Sequence, residues 1–208
     1  DRWLPKEELA ETDTKPFIRT LDFREDLDPA ISLSNASREV LRMGDLLRTM
    51  LDCTFEALQK DNGERLLQIQ KSDDLVDEYH EKINLYLTEL SRKDLEPSYR
   101  QRCNSILSFT TNLEHVGDIV ESSLTELIRN TIRRNIQFTG PEMAELERLH
   151  QFTTNNMELA FSVLLTGDLK NARTLLEQKI QIREFERSAV LNHQKRLREQ
   201  VTVSSEGS

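Results

Sequence analysis

Long apolar runs are missing from this sequence. Nowhere do about 18 such residues follow one another, so no segment reads as a membrane-crossing helix. No basic stretch leading into a short apolar one opens the chain, which removes a secretory signal. The first residue is Asp1 rather than Met, so the stretch reads as a piece of a longer polypeptide and the missing span is a property of that piece. Glycine and proline are scarce, six and five in 208 residues, and aromatic side chains make up only 6 %. Combined with abundant Leu, Glu, Arg and Gln, that scarcity points to an all-helical protein. A basic excess is also absent. The net charge of -9 argues against a general nucleic-acid surface, and no nucleic-acid partner is expected. Cys53 and Cys103 are isolated from each other, which suits buried, reduced thiols better than a disulfide. There is no Gly-rich phosphate loop, Gly-x-Ser-x-Gly turn or Cys-x-x-Cys pair. Nothing asks for a catalytic nucleophile, and no enzyme activity is expected.

What is present is helical periodicity. Residues 1–33, with Pro5, Pro16, Pro29 and a lone Trp3, carry no sustained period and read as a leader or linker. From about Ser34, the residues Val40, Met43, Leu47, Met50 and Leu51 step by three and four, and Phe55 and Leu58 continue the run. A break at "KDNGE" offers Asp61 or Asn62 as the cap of a second helix through Leu66, Ile69, Val76, Ile83, Leu87 and Leu90. Pro97 suits the first turn of a third helix, whose stripe reads Ile106, Phe109, Leu113, Val116, Val120, Leu124 and Leu127. Thr139 and Glu142 bracket Gly140-Pro141 at capping-box spacing and open a fourth helix. Asp168 can cap a fifth, reaching about Glu199 before a polar, turn-like tail, "VTVSSEGS". Five helices of roughly 25 to 35 residues, with short connections, predict an elongated antiparallel bundle.

The chain also echoes itself. A shift of 106 positions lays Phe55 on Phe161, Leu58 on Leu164, Ile69 on Leu175, Val76 on Ile182 and Tyr79 on Phe185. The expected organisation is a leader at 1–33, a three-helix unit at 34–138, and a second unit at 139–208 holding two helices.

Acids interrupt the good core stripes. Glu114 and Asp118 are four apart on the third helix, and so are Asp73 and Asp77 on the second, so each pair shares a face. If the two helices lie antiparallel the pairs converge. Four facing carboxylates repel unless protonated or bridged by a cation, and an oxygen-rich set suits a divalent ion such as Mg²⁺ or Mn²⁺, or iron. Acids at this spacing also occur on ordinary solvated faces. Gly117, costly in mid-helix by about 1 kcal/mol, points to a close approach. His115 lies about 100° around the helix from Glu114 and is not expected to be a ligand. Glu147 and His150 have the Glu-x-x-His spacing of diiron bundles, but that motif should occur twice and does so once. His80 and His193 read as packed or surface histidines.

"SDDLVDEYHEKI" followed by "TNLEHVGDIVES" resembles the PhoU family, whose helices carry acid-x-x-x-Asp motifs within a Leu-Glu-x-x-Gly-Asp phrase; here the phrase is Leu113, Glu114, His115, Val116, Gly117, Asp118. The resemblance covers about 35–200. It implies tandem three-helix units, the second incomplete here, and metal binding, often iron, through Asp73, Asp77, Glu114 and Asp118. The stretch "PFIRTLDFREDLDPAISLSNASREVLRMGDLL" and the second unit are similar to the cytosolic tail of bacterial Na/Pi cotransporters. That likeness implies a non-catalytic regulatory domain at the cytoplasmic face of the inner membrane, attached to the transmembrane part of a sodium-dependent inorganic phosphate transporter. A free-standing PhoU-type regulator of phosphate ABC uptake and signalling is the alternative. In the second unit Lys179 and Arg183 replace Asp73 and Asp77, which puts a second metal site in doubt. A two-helix unit should leave an apolar groove, expected to be covered in a homodimer.

Overall fold

The computed structural model describes Leu21, residues 26–60 and residues 63–206, with side chains as far as Arg196. Trp3, Pro5, Pro16 and the two expected caps, Asp61 and Asn62, lie outside the described residues. Among those described there are five long helices and no strand. They comprise α1 (Pro29–Lys60), α2 (Leu66–Ser91), a rod formed by α3 (Pro97–Asp118), a π-helical segment (Ile119–Leu124) and α4 (Thr125–Arg133), then α5 (Gly140–Thr166) and α6 (Leu169–Glu206). A 3₁₀ turn (Gly63–Arg65) leads into α2. No helix among the described residues is long and apolar enough to cross a membrane.

The helix ends follow local chemistry. α1 begins earlier than periodicity predicts, at Pro29 rather than near Ser34, because Asp28 Oδ1 accepts the Ala30 amide at 2.7 Å and Pro29 is pre-set for a first turn. Pro97 opens α3. Thr139 and Glu142 form the expected capping box: the Glu142 amide donates to Thr139 Oγ1 at 3.4 Å, and the Thr139 amide donates to Glu142 Oε2 at 2.9 Å. Those bonds from Thr139, with His193 and Arg196 nearby, hold the Glu142 carboxyl down to about 2. Thr139→Ala should lower stability by about 1 kcal/mol, read as a drop in the urea midpoint at unchanged m-value. Gly167, at φ 65°, ends α5, and Asp168 Oδ1 caps α6 through the Lys170 amide at 2.8 Å. α6 does not stop near Glu199; it runs to Glu206. Val, Thr and Ser each disfavour a helix by only a few tenths of a kcal/mol, and no Gly or Pro intervenes before Gly207.

α1, α2 and α3 enclose the main core, with Met43, Leu47, Met50, Ile69, Ile83, Leu87, Leu90 and Ile106 fully buried. Glu39, which periodicity did not single out, is also fully buried on α1. Arg42 donates to both of its oxygens at 2.9 and 3.0 Å, while burial pushes its carboxyl up. Both cysteines are buried free thiols. α5 docks on α1 where Gly44 admits the Phe161 ring, which also meets Phe109 edge-on at 5.4 Å, and Arg48 pairs with Glu158 beside it. α6 packs on α5 through Phe185 against Phe152 and through Arg196 on Glu145 at 2.9 Å. Along α5 the apolar residues Leu146, Leu149, Phe152, Met157 and Ala160 stay half-buried, while Leu164 is buried.

The core stripe of the third rod departs from the predicted one. Its buried positions are Cys103, Ile106, Thr110, Leu113, Gly117, Val120, Thr125 and Ile128, whereas Val116 is at the surface and Leu127 is 62 % exposed. Gly117, not Val116, is the core residue. Beyond Val120 the step is five rather than four, because the π-helical segment inserts one residue. The Thr125 amide reaches back to the Val120 carbonyl, and so does its hydroxyl at 2.8 Å. That insertion swings Ile128 inward and Leu127 out.

Candidate metal centre

Asp73 and Asp77 stand one turn apart on α2, and Asp118 closes α3 opposite them. One oxygen from each of the three lies within 4.8 Å of the others. Asp73 is half-buried, and Asp77 and Asp118 are exposed, so the group opens to solvent on one side. The close approach of α3 depends on Gly117. A Cβ there would sit 3.0 Å from Asp73 Oδ1, 3.3 Å from Val76 Cγ1 and 3.4 Å from Leu47 Cδ2. The glycine that interrupts the acidic phrase therefore faces the Asp73 carboxylate, and its lack of a side chain brings three carboxylates together.

Electrostatically the group is strained. Asp73 Oδ1 is buried without a hydrogen-bond partner. Burial, and then the negative charges of Asp77, Glu121, Asp118 and Asp74, push the Asp73 carboxyl up to about 6. Neither a solvated acid face nor a satisfied core carboxylate has these features together. An all-oxygen donor set with an orphaned inner oxygen fits a hard cation of the Mg²⁺ or Mn²⁺ kind.

Of the four residues singled out by spacing, the structure brings together Asp73, Asp77 and Asp118. Glu114 is not in that set: its Oε2 lies 3.6 Å from His115 Nε2, its chain neighbour. Glu121, missed by the pairwise i, i+4 reading, joins the field around Asp73 from the π-helical segment, whose widened turn no periodicity announces. The diiron spacing finds no support. His150 stacks on Phe55 at 4.8 Å with Nε2 3.1 Å from Asp52, while Glu147 is exposed. His193 is at the surface, its Nδ1 3.0 Å from Glu142, and His80 has a buried Nε2 without a hydrogen-bond partner.

Residues 40–125, which hold α2, α3, Asp73, Asp77, Glu114, Asp118 and Glu121, match the PhoU domain family. That match takes in 86 of the 208 residues. Over 198 residues, 95 % of its length, the chain is 30 % identical to a Salmonella typhimurium protein and 29 % identical to one from Escherichia coli K12, each named "Putative inorganic phosphate export protein YjbB". The chain spans about a third of the length of these curated relatives, 36 %. No solved structure gives a significant match. The matched stretch begins inside α1 and ends at the start of α4, so Asp73, Asp77 and Asp118 all fall within it.

Proposed function

We propose that this chain is the regulatory PhoU-like domain of a sodium-dependent inorganic phosphate transporter, held at the cytoplasmic face of the membrane by the rest of its polypeptide. The observation that carries the reading is the pairing of a match to the PhoU domain family at 40–125 with likeness over 95 % of the chain to relatives named for phosphate export, of which it spans only part. That partial span favours an attached domain over a free-standing regulator. A role in phosphate homeostasis follows from both matches; sodium coupling and the direction of control are part of the proposal.

Within that reading, Asp73, Asp77 and Asp118 hold a divalent or iron cation, and Glu114, one turn before Asp118, is available by a side-chain rotation. When bound, the cation supplies neutralising charge across α2 and α3. The protein's own part is to fix the distance between those helices, through Gly117, and to exclude water from the inner Asp73 oxygen. Occupancy then sets how tightly the third rod closes on α1 and α2, a packing difference that the transporter part can read.

The test is phosphate flux in cells carrying the full-length gene. With Asp73→Asn, Asp77→Asn and Asp118→Asn together, flux under a sodium gradient should change by about fivefold or more, the low end of a typical coupling between sites. Flux unchanged both in this variant and on deleting the domain would remove the regulatory reading.

A further inference from the structure

The α5–α6 hairpin repeats α1–α2, and the 106-residue shift maps the end of α1 at Lys60 onto the end of α5 at Thr166. On the first hairpin, α3 covers the side of α2 that carries Asp73 and Asp77. On the second, no described helix takes the place of α3. An open groove of about 480 Å³ runs there instead, floored by Leu175, Leu176 and Ile182 and edged by Lys179, Arg183 and Glu186. Leu169, Leu176, Ile180 and Leu191 project along the same side of α6, each 58–73 % exposed. Single exposed apolar residues are ordinary; a row on one helix face is a docking surface.

The molecule also displays a face of opposite character. On the outside of α2, Leu67 and Leu85 are 71 % and 62 % exposed, and Lys71, Asp74, Glu78 and Glu81 lie between them at steps of four and three. Two antiparallel helices rise equally per residue, so one aligned pair sets the others. With Leu67 facing Val190, Lys71 falls opposite Glu186, Asp74 opposite Arg183, and Glu78 opposite Lys179. All three pairs are of opposite sign, and the first is reversed relative to the other two, which a general attraction of acid for base does not require. Lys71, Asp74, Lys179, Arg183 and Glu186 have no ion-pair partner of their own among the described residues, while Glu78 is held by Lys82.

We propose that α2 of a second copy of this chain lies antiparallel in the α5–α6 groove, taking the place that α3 holds on the first hairpin, and that two-fold symmetry makes the same contact twice. In the first unit the helix interface gathers carboxylates; in the second, cations receive the carboxylates of the partner's α2. This inference stands apart from the phosphate reading and fails separately.

Sedimentation equilibrium of the chain in chelator tests it. A dimer is expected, weakened about tenfold between low and high salt. Arg183→Glu and Asp74→Arg, each alone, should weaken it by about tenfold, and the double reversal in one chain should restore it to within about threefold of wild type. Because the double variant recovers what each single change loses, unfolding cannot imitate the result. A monomer at all concentrations, as expected if some other protein fills the groove, overturns the proposal. So does a double reversal no better than the singles.

Discussion

Mn²⁺ or Mg²⁺ added to the chelated protein raises its unfolding midpoint, and the rise is lost when Asp73→Asn and Asp118→Asn are combined. At a free cation concentration of about 100 times the dissociation constant, binding to the native state alone adds about 2.7 kcal/mol. For a chain of this size that is roughly 5–10 °C. Without cation the sign reverses. Asp73 has its folded carboxyl raised to about 6 from an ordinary 3.8, so the native state holds that proton more tightly than the unfolded chain does. Its favourable share is fully present below about pH 4 and is lost as pH rises through 6. Asp73→Asn should therefore make the chelated protein more stable than wild type at pH 7, by about 1 kcal/mol once solvent screening of a partly exposed group is discounted. The two proteins should converge near pH 4. Gly117→Ala perturbs the same seam by steric means, through a methyl 3.0 Å from Asp73 Oδ1, and should blunt the cation response. A midpoint that ignores Mg²⁺, Mn²⁺ and Fe²⁺ alike, or one that still responds in the double variant, ends the metal reading.

The second large effect lies at Gly44. An added Cβ there would be 2.8 Å from Phe161 Cε1 and closer still to Cζ, well inside the 3.5–4.0 Å at which carbon atoms pack. The ring must retreat, and it cannot do so without disturbing its edge-on contact with Phe109. Overpacking of this kind costs about 1–3 kcal/mol and the aromatic pair about 0.5–1.5 kcal/mol, against a gain of at most about 1 kcal/mol from replacing a mid-helix glycine. Gly44→Ala should therefore lower stability by about 1–3 kcal/mol. Hydrogen exchange gives the sharper readout: amides of α5 and α6 should exchange faster while those of α2 and α3 keep their protection, because the ring is where α5 attaches. Uniform loss across all helices would mean that Gly44 supports the first three-helix core and not the docking of α5. Phe161→Leu in the Gly44→Ala background should recover part of the loss.

Both predictions rest on glycines, and the two were not equally readable beforehand. Gly117 stood out because it fell within an acidic phrase on an otherwise good helix, and the cost of a mid-helix glycine calls for a reason. The reason proved to be a carboxylate on the neighbouring helix. Gly44 gave no such signal; its partner lies 117 positions later on α5, and nothing local announces a ring arriving from that distance. Glu39 is similar. In sequence it is one more acid near an Arg, and only the packing of α1 against its neighbours shows it to be fully buried.

By itself, the amino-acid sequence determined the helices and most of their ends. Periodicity, Pro97, the Thr139–Glu142 box and the Asp168 cap act over a few residues, and local interactions of that range need no fold to be read. It also placed Asp73 and Asp77 on one face of α2, since a helix stacks residues four apart. Tertiary structure alone decided which acids meet. The π-helical segment, stabilised by Thr125 reaching back to Val120, moves the register by one residue and brings Glu121 into the field of Asp73. Glu114, with its Oε2 3.6 Å from His115 Nε2, stands outside that group. Such outcomes depend on how three helices share space at one crossing. Side-chain spacing along any single helix contains no information about that.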